Sequence, residues 1–269
     1  MKAKVILITG GSSGLGKAMG RLLSQKGHIV YGTTRNLANH PNFSDFTLLE
    51  MDVRNPQSVV GAVNKMVEEA GRVDVLVNNA GVGITGPVEE TPHQEMLNAF
   101  DTNFNGPLHL IKAVLPHMRK QGGGLVINIT SIAGYMGLPF RGIYSATKGA
   151  LGTVTEALRL ETKGSGIVFT TLAPGDFATK IAAGRYHAPA SEQSPYHPAY
   201  GNMLKAIDAH VDSGGDPLAV AQKVAYIIQR KNPKIHYTVG APLQRFSVVL
   251  KRLLPGKLFE AMLLKHSKG

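Results

Sequence analysis

Short runs of consecutive apolar, often β-branched residues alternate along the chain with longer stretches whose apolar residues return every three or four positions. The strand-like runs fall at residues 5–9, 28–31, 46–51, 73–77, 125–129, 168–172 and 235–239. Helical spacing fills residues 16–26, 56–70, 93–120, 144–162 and 217–231. Runs that are apolar throughout, rather than every second residue, suit strands covered on both sides. Strand–helix–strand alternation therefore predicts an α/β fold, a Rossmann-type doubly wound parallel sheet of about seven strands with helices on both faces. No repeat and no linker interrupts the rhythm, so one domain over 1–269 is expected. Two stretches depart from it. Residues 181–215, rich in Ala, Pro, Gly, His and Tyr, read as a mobile excursion beyond the sixth strand. Residues 240–269 form a tail with six Lys/Arg and one Glu among many apolar residues, broken by Pro255-Gly256.

Composition narrows the function classes. Apolar residues are 43% and charged residues 17% of 269, enough for a packed core and against intrinsic disorder. With no cysteine there is no disulfide framework, no thiolate metal site and no cysteine nucleophile. No His/Asp/Glu spacing suggests a metal, and His187, His197 and His210 read as loop or helix-surface residues. The net charge of +11 would attract anions such as a phosphorylated cofactor or an anionic surface, but no nucleic-acid motif accompanies it. The N-terminal residues lack the long apolar stretch of a signal peptide, and a cytoplasmic location is expected, with membrane association through the tail kept open.

Between the first strand and the first helix lies Thr9-Gly10-Gly11-Ser12-Ser13-Gly14-Leu15-Gly16. Glycines permit positive φ and close approach of a ligand to the backbone, and the helix that follows aims its first amides at an anion. The spacing is Gly-x3-Gly-x-Gly, and no Gly-Lys-Ser/Thr follows, so it is not a P-loop. The second strand ends Thr34-Arg35, with no carboxylate for the ribose hydroxyls. Arg35 suits a 2′-phosphate, with Ser12 as an added donor, and the pair argues for NADP(H) over NAD(H). Asp52 could accept from the adenine amino group or simply open the turn into the helix at Pro56.

Tyr144 and Lys148 stand four apart in a helical segment and share one face. A tyrosine with an ordinary pKa of about 10 is a poor base near neutrality; an adjacent ammonium favours the phenolate and improves it. Ser131, at the end of the fifth strand, could hydrogen-bond a substrate oxygen.

Together with Asn78-Asn79-Ala80-Gly81, Asn103 and Pro174-Gly175 with Thr179, these motifs give the chain, over residues 4 to about 180, a close resemblance to the short-chain dehydrogenases/reductases of ordinary length. The resemblance implies a nicotinamide cofactor held by Gly10, Ser12, Ser13, Gly14, Leu15 and Gly16, with Arg35, Asp52 and Val53 on the adenosine side. Asn79, Ala80 and Gly81 would line the cofactor, and Pro174, Gly175, Phe177 and Thr179 would flank its nicotinamide end. It implies Tyr144 as acid/base, Lys148 as ribose ligand and modulator of the tyrosine, Ser131 as positioner of the carbonyl and Asn103 as holder of a relay water. The reaction implied is reduction of a ketone or aldehyde, or oxidation of the matching alcohol.

Residues 131–140 are apolar and resemble the same stretch in NADP(H)-preferring 17β-hydroxysteroid dehydrogenases, with parts shared by retinol and 3-ketosphinganine reductases. A hydrophobic substrate such as a steroid or long-chain lipid is expected. Alternatives are a silent dinucleotide-binding redox sensor, against which the complete Asn103, Ser131, Tyr144, Lys148 set argues, and an epimerase or dehydratase of the same fold. A homo-oligomer paired through the long helices is expected by analogy. For the tail, the sequence favours cover for the cleft or a subunit contact over an anionic bilayer.

Overall fold

The computed structural model describes residues 2–177, 184–212 and 215–267, with the backbone alone for 206–212, 266 and 267. In chain order the elements are β1 (Val5–Ile8), α1 (Gly14–Gln25), β2 (Ile29–Thr34), β3 (Thr47–Glu50), α2 (Pro56–Ala70), β4 (Val75–Asn78), β5 (Ile84–Thr85), α3 (His93–Phe100), α4 (Gly106–Lys120) and β6 (Gly124–Ile129). Then come α5 (Gly142–Glu161), β7 (Ile167–Pro174), β8 (Tyr186–His187), α6 (Ala199–Asp212), α7 (Pro217–Ile228), β9 (His236–Val239), α8 (Pro242–Leu253) and α9 (Gly256–Ser267).

Seven strands form one parallel sheet in the order β3-β2-β1-β4-β6-β7-β9. Because successive side chains point to opposite faces, Val5 and Leu7 of β1 join a core with α2 and α4, whereas Ile6 and Ile8 join one with α1 and α7. This is the doubly wound α/β architecture read from the apolar runs. Strand order reverses between β1 and β4, and the crevice that this opens at the carboxyl ends of the strands is where such sheets bind ligands. A buried polar link crosses the sheet's middle: Asn78 Nδ2 donates to Asn128 Oδ1 at 2.8 Å, and Asn128 Nδ2 to Thr155 Oγ1 at 2.8 Å, tying β4 and β6 to α5.

Local chemistry sets the element boundaries. Asn55 caps α2, its side chain accepting from the Gln57 and Ser58 amides, and Gly71 ends it at φ 74°. The single helix expected over 93–120 is instead interrupted at 101–105 by one wide π turn between α3 and α4. Pro107 supplies the reason: it has no amide hydrogen for the Asn103 carbonyl four residues back, and its ring crowds that carbonyl in regular winding.

The segment after β7 leaves the strand–helix rhythm. Its residues 184–200 are tied to the body: β8 pairs with β5, and buried Tyr200 donates from its hydroxyl to the Ala188 carbonyl at 2.8 Å and the Thr85 carbonyl at 3.2 Å. Thr179 and the His210 side chain lie outside the described residues. Both pieces of the tail are helical, α8 and α9, and Val248 and Phe259 bury against Ile132, Met136 and Ala173. Among the described residues no helix is long and apolar enough to cross a membrane.

Candidate active site

A cleft of about 570 Å³ opens along the carboxyl ends of β1, β2 and β4. Gly10, Ser12, Ser13, Gly14 and Leu15 line one side; Arg35, Asp52 and Val53 line the rim beyond β2 and β3; Asn79, Ala80 and Gly81 line the end of β4. Buried threonines hold this turn in shape. The Thr9 hydroxyl accepts from the Asn79 and Ala80 amides, both at 2.9 Å, and the Thr33 hydroxyl from the Gly10 amide at 3.1 Å. Asn79 Nδ2 returns a bond to the Thr9 carbonyl at 2.9 Å, so Asn79 buttresses the turn as well as lining the cleft. Gly10 and Gly14 adopt φ of 64° and 50°, which favour glycine. Gly16 does not line the cleft. It sits behind the turn, where a Cβ would fall 2.1 Å from the Gly10 carbonyl oxygen and 2.8 Å from Asn79 Nδ2.

At the rim, Arg54 reaches back to Asp52 with Nε–Oδ1 at 3.1 Å and a terminal nitrogen–Oδ2 at 2.7 Å. The Arg54 guanidinium holds the Asp52 carboxyl below the usual carboxylate range, with a smaller pull from Arg35. Asp52 is thus engaged by an arginine that the sequence reading did not single out. Arg35 is exposed beside Asn36, and the buried Thr34 occupies the strand end.

Next to this cleft, Gly81 leads to the remaining groups. A Cβ there would stand 3.1 Å from Asn103 Oδ1 and 3.4 Å from Lys148 Nζ, so the chain after β4, the wide turn and α5 converge at one point. Asn103, fully buried, spends its side chain on the backbone: Oδ1 accepts from the Val82 amide at 2.8 Å, and Nδ2 donates to the Val82 carbonyl at 2.9 Å and to Thr147 Oγ1 at 3.1 Å. Thr147 in turn donates to the Tyr144 carbonyl at 2.8 Å, linking the wide turn to the first turn of α5. Nothing in the sequence separates Thr147 from other helix threonines, and it was missed.

Lys148 is buried and donates from Nζ to the Ile129 carbonyl, the last of β6, at 3.0 Å. Burial pulls its ammonium down to about 8. A group with that value remains about nine-tenths charged one pH unit below it. Ser131, two residues beyond Ile129, is half-buried; its Oγ accepts from the Ala133 amide at 3.2 Å, which leaves its own hydrogen to donate elsewhere. Tyr144, half-buried, has the Arg141 guanidinium carbon 5.5 Å from its ring centre. Pro174 and Gly175 close the end of β7, and the Gly175 amide donates to the Val239 carbonyl at 2.8 Å. Gln244 of α8 grips the next residue: its Oε1 accepts from the Asp176 amide at 3.3 Å and its Nε2 donates to Asp176 Oδ2 at 2.7 Å. Phe177 bridges to Gly215. Asn103, Ser131, Tyr144, Lys148 and the Pro174–Phe177 turn therefore stand beyond the cleft that the Gly-rich turn lines.

A glycine turn too tight for side chains, a first helix with no side-chain cap on its N-terminus and an arginine at the rim fit an elongated nucleotide. Among the described residues no group of three His, Asp or Glu is placed to hold a metal. The short chain dehydrogenase profile matches residues 4–189. The chain is 40% identical over 261 residues, 97% of its length and 96% of the relative's, to a protein of Bacteroides thetaiotaomicron named 3-ketodihydrosphingosine reductase. It is 31% identical over 250 residues, 90% and 96% of the two lengths, to a 3-oxoacyl-[acyl-carrier-protein] reductase of Vibrio cholerae. A short-chain dehydrogenase from Streptomyces avermitilis superposes with TM-score 0.81 at 30% identity, over 100% of this chain and 97% of that one. Two further structures are described with bound nucleotide. ElxO, with NADP, gives TM-score 0.71 at 25% identity over 88% of this chain and 97% of its own. A Burkholderia phymatum enzyme, with NAD, gives 0.79 at 26% over 93% and 92%. By sheet order, by profile and by full-length identity, the chain belongs to the short-chain dehydrogenase/reductase family of oxidoreductases.

Proposed function

We propose that this protein is an NADP(H)-dependent reductase of a ketone on a hydrophobic, long-chain lipid. The observation that carries the reaction type is Lys148: a buried ammonium at the β6 end, one helical turn from Tyr144. A bound nicotinamide supplies the hydride for the carbonyl carbon. Tyr144 gives its phenolic proton to the carbonyl oxygen as negative charge gathers there, and the Ser131 hydrogen is donated to the same oxygen. Lys148, held at the Ile129 carbonyl one turn along α5, would bind the nicotinamide ribose beside Tyr144. Asn103 fixes the backbone around Val82 and, through Thr147, the start of α5, so that Tyr144 and Lys148 meet substrate in one arrangement.

The cofactor preference rests on Thr34-Arg35. A neutral, buried side chain stands where a carboxylate would take the ribose hydroxyls, and a guanidinium follows it at the rim. Its planar fork suits a 2′-phosphate. The lipid class rests on the printed name of the Bacteroides relative, beside the apolar segment 132–138 that follows Ser131.

The test is loss of reduced-nicotinamide absorbance against a panel of long-chain keto lipids, steroid ketones and small polar ketones. The long-chain keto lipid is expected to give the highest kcat/KM, and preference for the small ketones would overturn the substrate class. Tyr144→Phe should lower kcat by about 10²–10⁴-fold with NADPH binding kept. Arg35→Asp should weaken NADPH by about 1.5–3 kcal/mol and leave NADH unharmed; equal losses would refute the cofactor preference.

A further inference from the structure

One face of the tail is left over once the fold is complete. The inward side of α8 is defined by Gln244 and Val248, one turn apart: the first holds Asp176, the second buries against the 132–136 segment. On the other side Leu243, Phe246, Val249 and Leu253 recur at intervals of three and four, and all are exposed, Phe246 at 53% and Leu253 at 74%. Leu258 and Leu264 of α9 are exposed as well. Arg245 and Arg252 lie beside the α8 stripe and Lys257 precedes Leu258, all exposed, and α8 contains no Asp or Glu. The two helices are joined by the Lys251 ammonium, 5.0 Å from the Phe259 ring centre.

We propose that this face docks on an anionic lipid bilayer. Apolar side chains in a stripe with cations beside them are what an interfacial helix needs: the stripe enters the acyl boundary and the cations meet lipid phosphates. A second copy of the chain fits less well. A twofold contact through this stripe would set Arg245 and Arg252 of one copy against those of the other, with no carboxylate of α8 to offset them. The inward side of the same helix touches residues 132–136 and the Asp176 turn, so docking would set the bilayer against the helix that flanks these residues. The inference stands on this surface alone and does not depend on the substrate proposed above.

The experiment is sedimentation of the full chain with vesicles, either of phosphatidylglycerol and phosphatidylcholine in equal parts or of phosphatidylcholine alone. Binding is expected with the anionic vesicles and should fade as salt is raised. Phe246→Ser with Leu253→Ser should reduce bound protein at least about tenfold, as should Arg245→Gln with Arg252→Gln, while melting temperature and turnover of a water-soluble ketone stay at wild-type values. If the wild-type chain stays in the supernatant, or if all three proteins sediment equally, the proposal is overturned. It is also overturned if the serine pair converts a dimer to a monomer in analytical ultracentrifugation without affecting vesicle binding, for then a second copy owns the face.

Discussion

In α1, Leu15, Met19 and Leu23 recur every four residues and disappear against β1 and α7; in α8, Leu243, Phe246, Val249 and Leu253 recur every three or four and remain in water. The two patterns are equally helical. Their fates differ because α1 is a crossover between two paired parallel strands, which lays it on the sheet. α8 follows β9, the edge strand, and meets the body along one narrow side. Periodicity therefore tells which side of a helix is apolar; the position of the helix in the topology tells whether the protein itself covers that side.

The largest expected effect lies where α1 begins. Gly16→Val would drive a side chain into the Gly10 carbonyl and Asn79, neither of which can yield, and should cost more than about 4 kcal/mol, read as loss of soluble protein or of the cooperative melt. Met19→Ala should cost about 2–5 kcal/mol in denaturant titration, since the side chain is fully buried. Were it to cost no more than a surface change, the contrast between the helices would fail.

Charge gives the next effect. Lys148 is inside, like Met19, and its folded-state value of about 8 lies below its ordinary value of 10.5. Below pH 8 both folded and unfolded chains hold the proton, and the cost of burying the charge stands in full. Between 8 and 10.5 the unfolded chain holds it more tightly, so stability rises with pH across that window. Lys148→Met should lack the rise, the wild type gaining on the order of 2–3 kcal/mol relative to it by denaturant titration at successive pH values. A constant difference would refute the burial account. The smallest effect belongs to α8: Phe246→Ser should leave stability within about 0.5 kcal/mol of wild type.

The same contrast explains what could be read from the chain. All seven sheet strands were legible: the central ones are short apolar runs buried on both faces, and the partly buried edge strands β3 and β9 show as short β-branched and aromatic runs between turns. The pairing of β5 with β8 was not, since two residues on each side leave no period to detect. The break in the expected helix 93–120 did have a signal, Gly106-Pro107, which an otherwise continuous apolar period obscured. In the site, Tyr144 and Lys148 were found through spacing along one helix. Thr147 and Gln244, whose roles come from hydrogen bonds between elements distant in sequence, had no such mark. Gly16 was read as part of the cofactor set because the motif contains it; the folded turn shows its space to be filled by the protein's own backbone.

The wide turn at 101–105 sets the rotational phase of α4. It inserts one residue beyond regular winding, so everything after it is phased by that insertion. Closing the turn to regular winding with every residue kept would rotate α4 by about 100°, swinging Leu110, Val114 and Met118 off the sheet while turning Asn103 away from Val82. Core and reaction centre are counted from the same five residues, and regular winding through them would forfeit both at once.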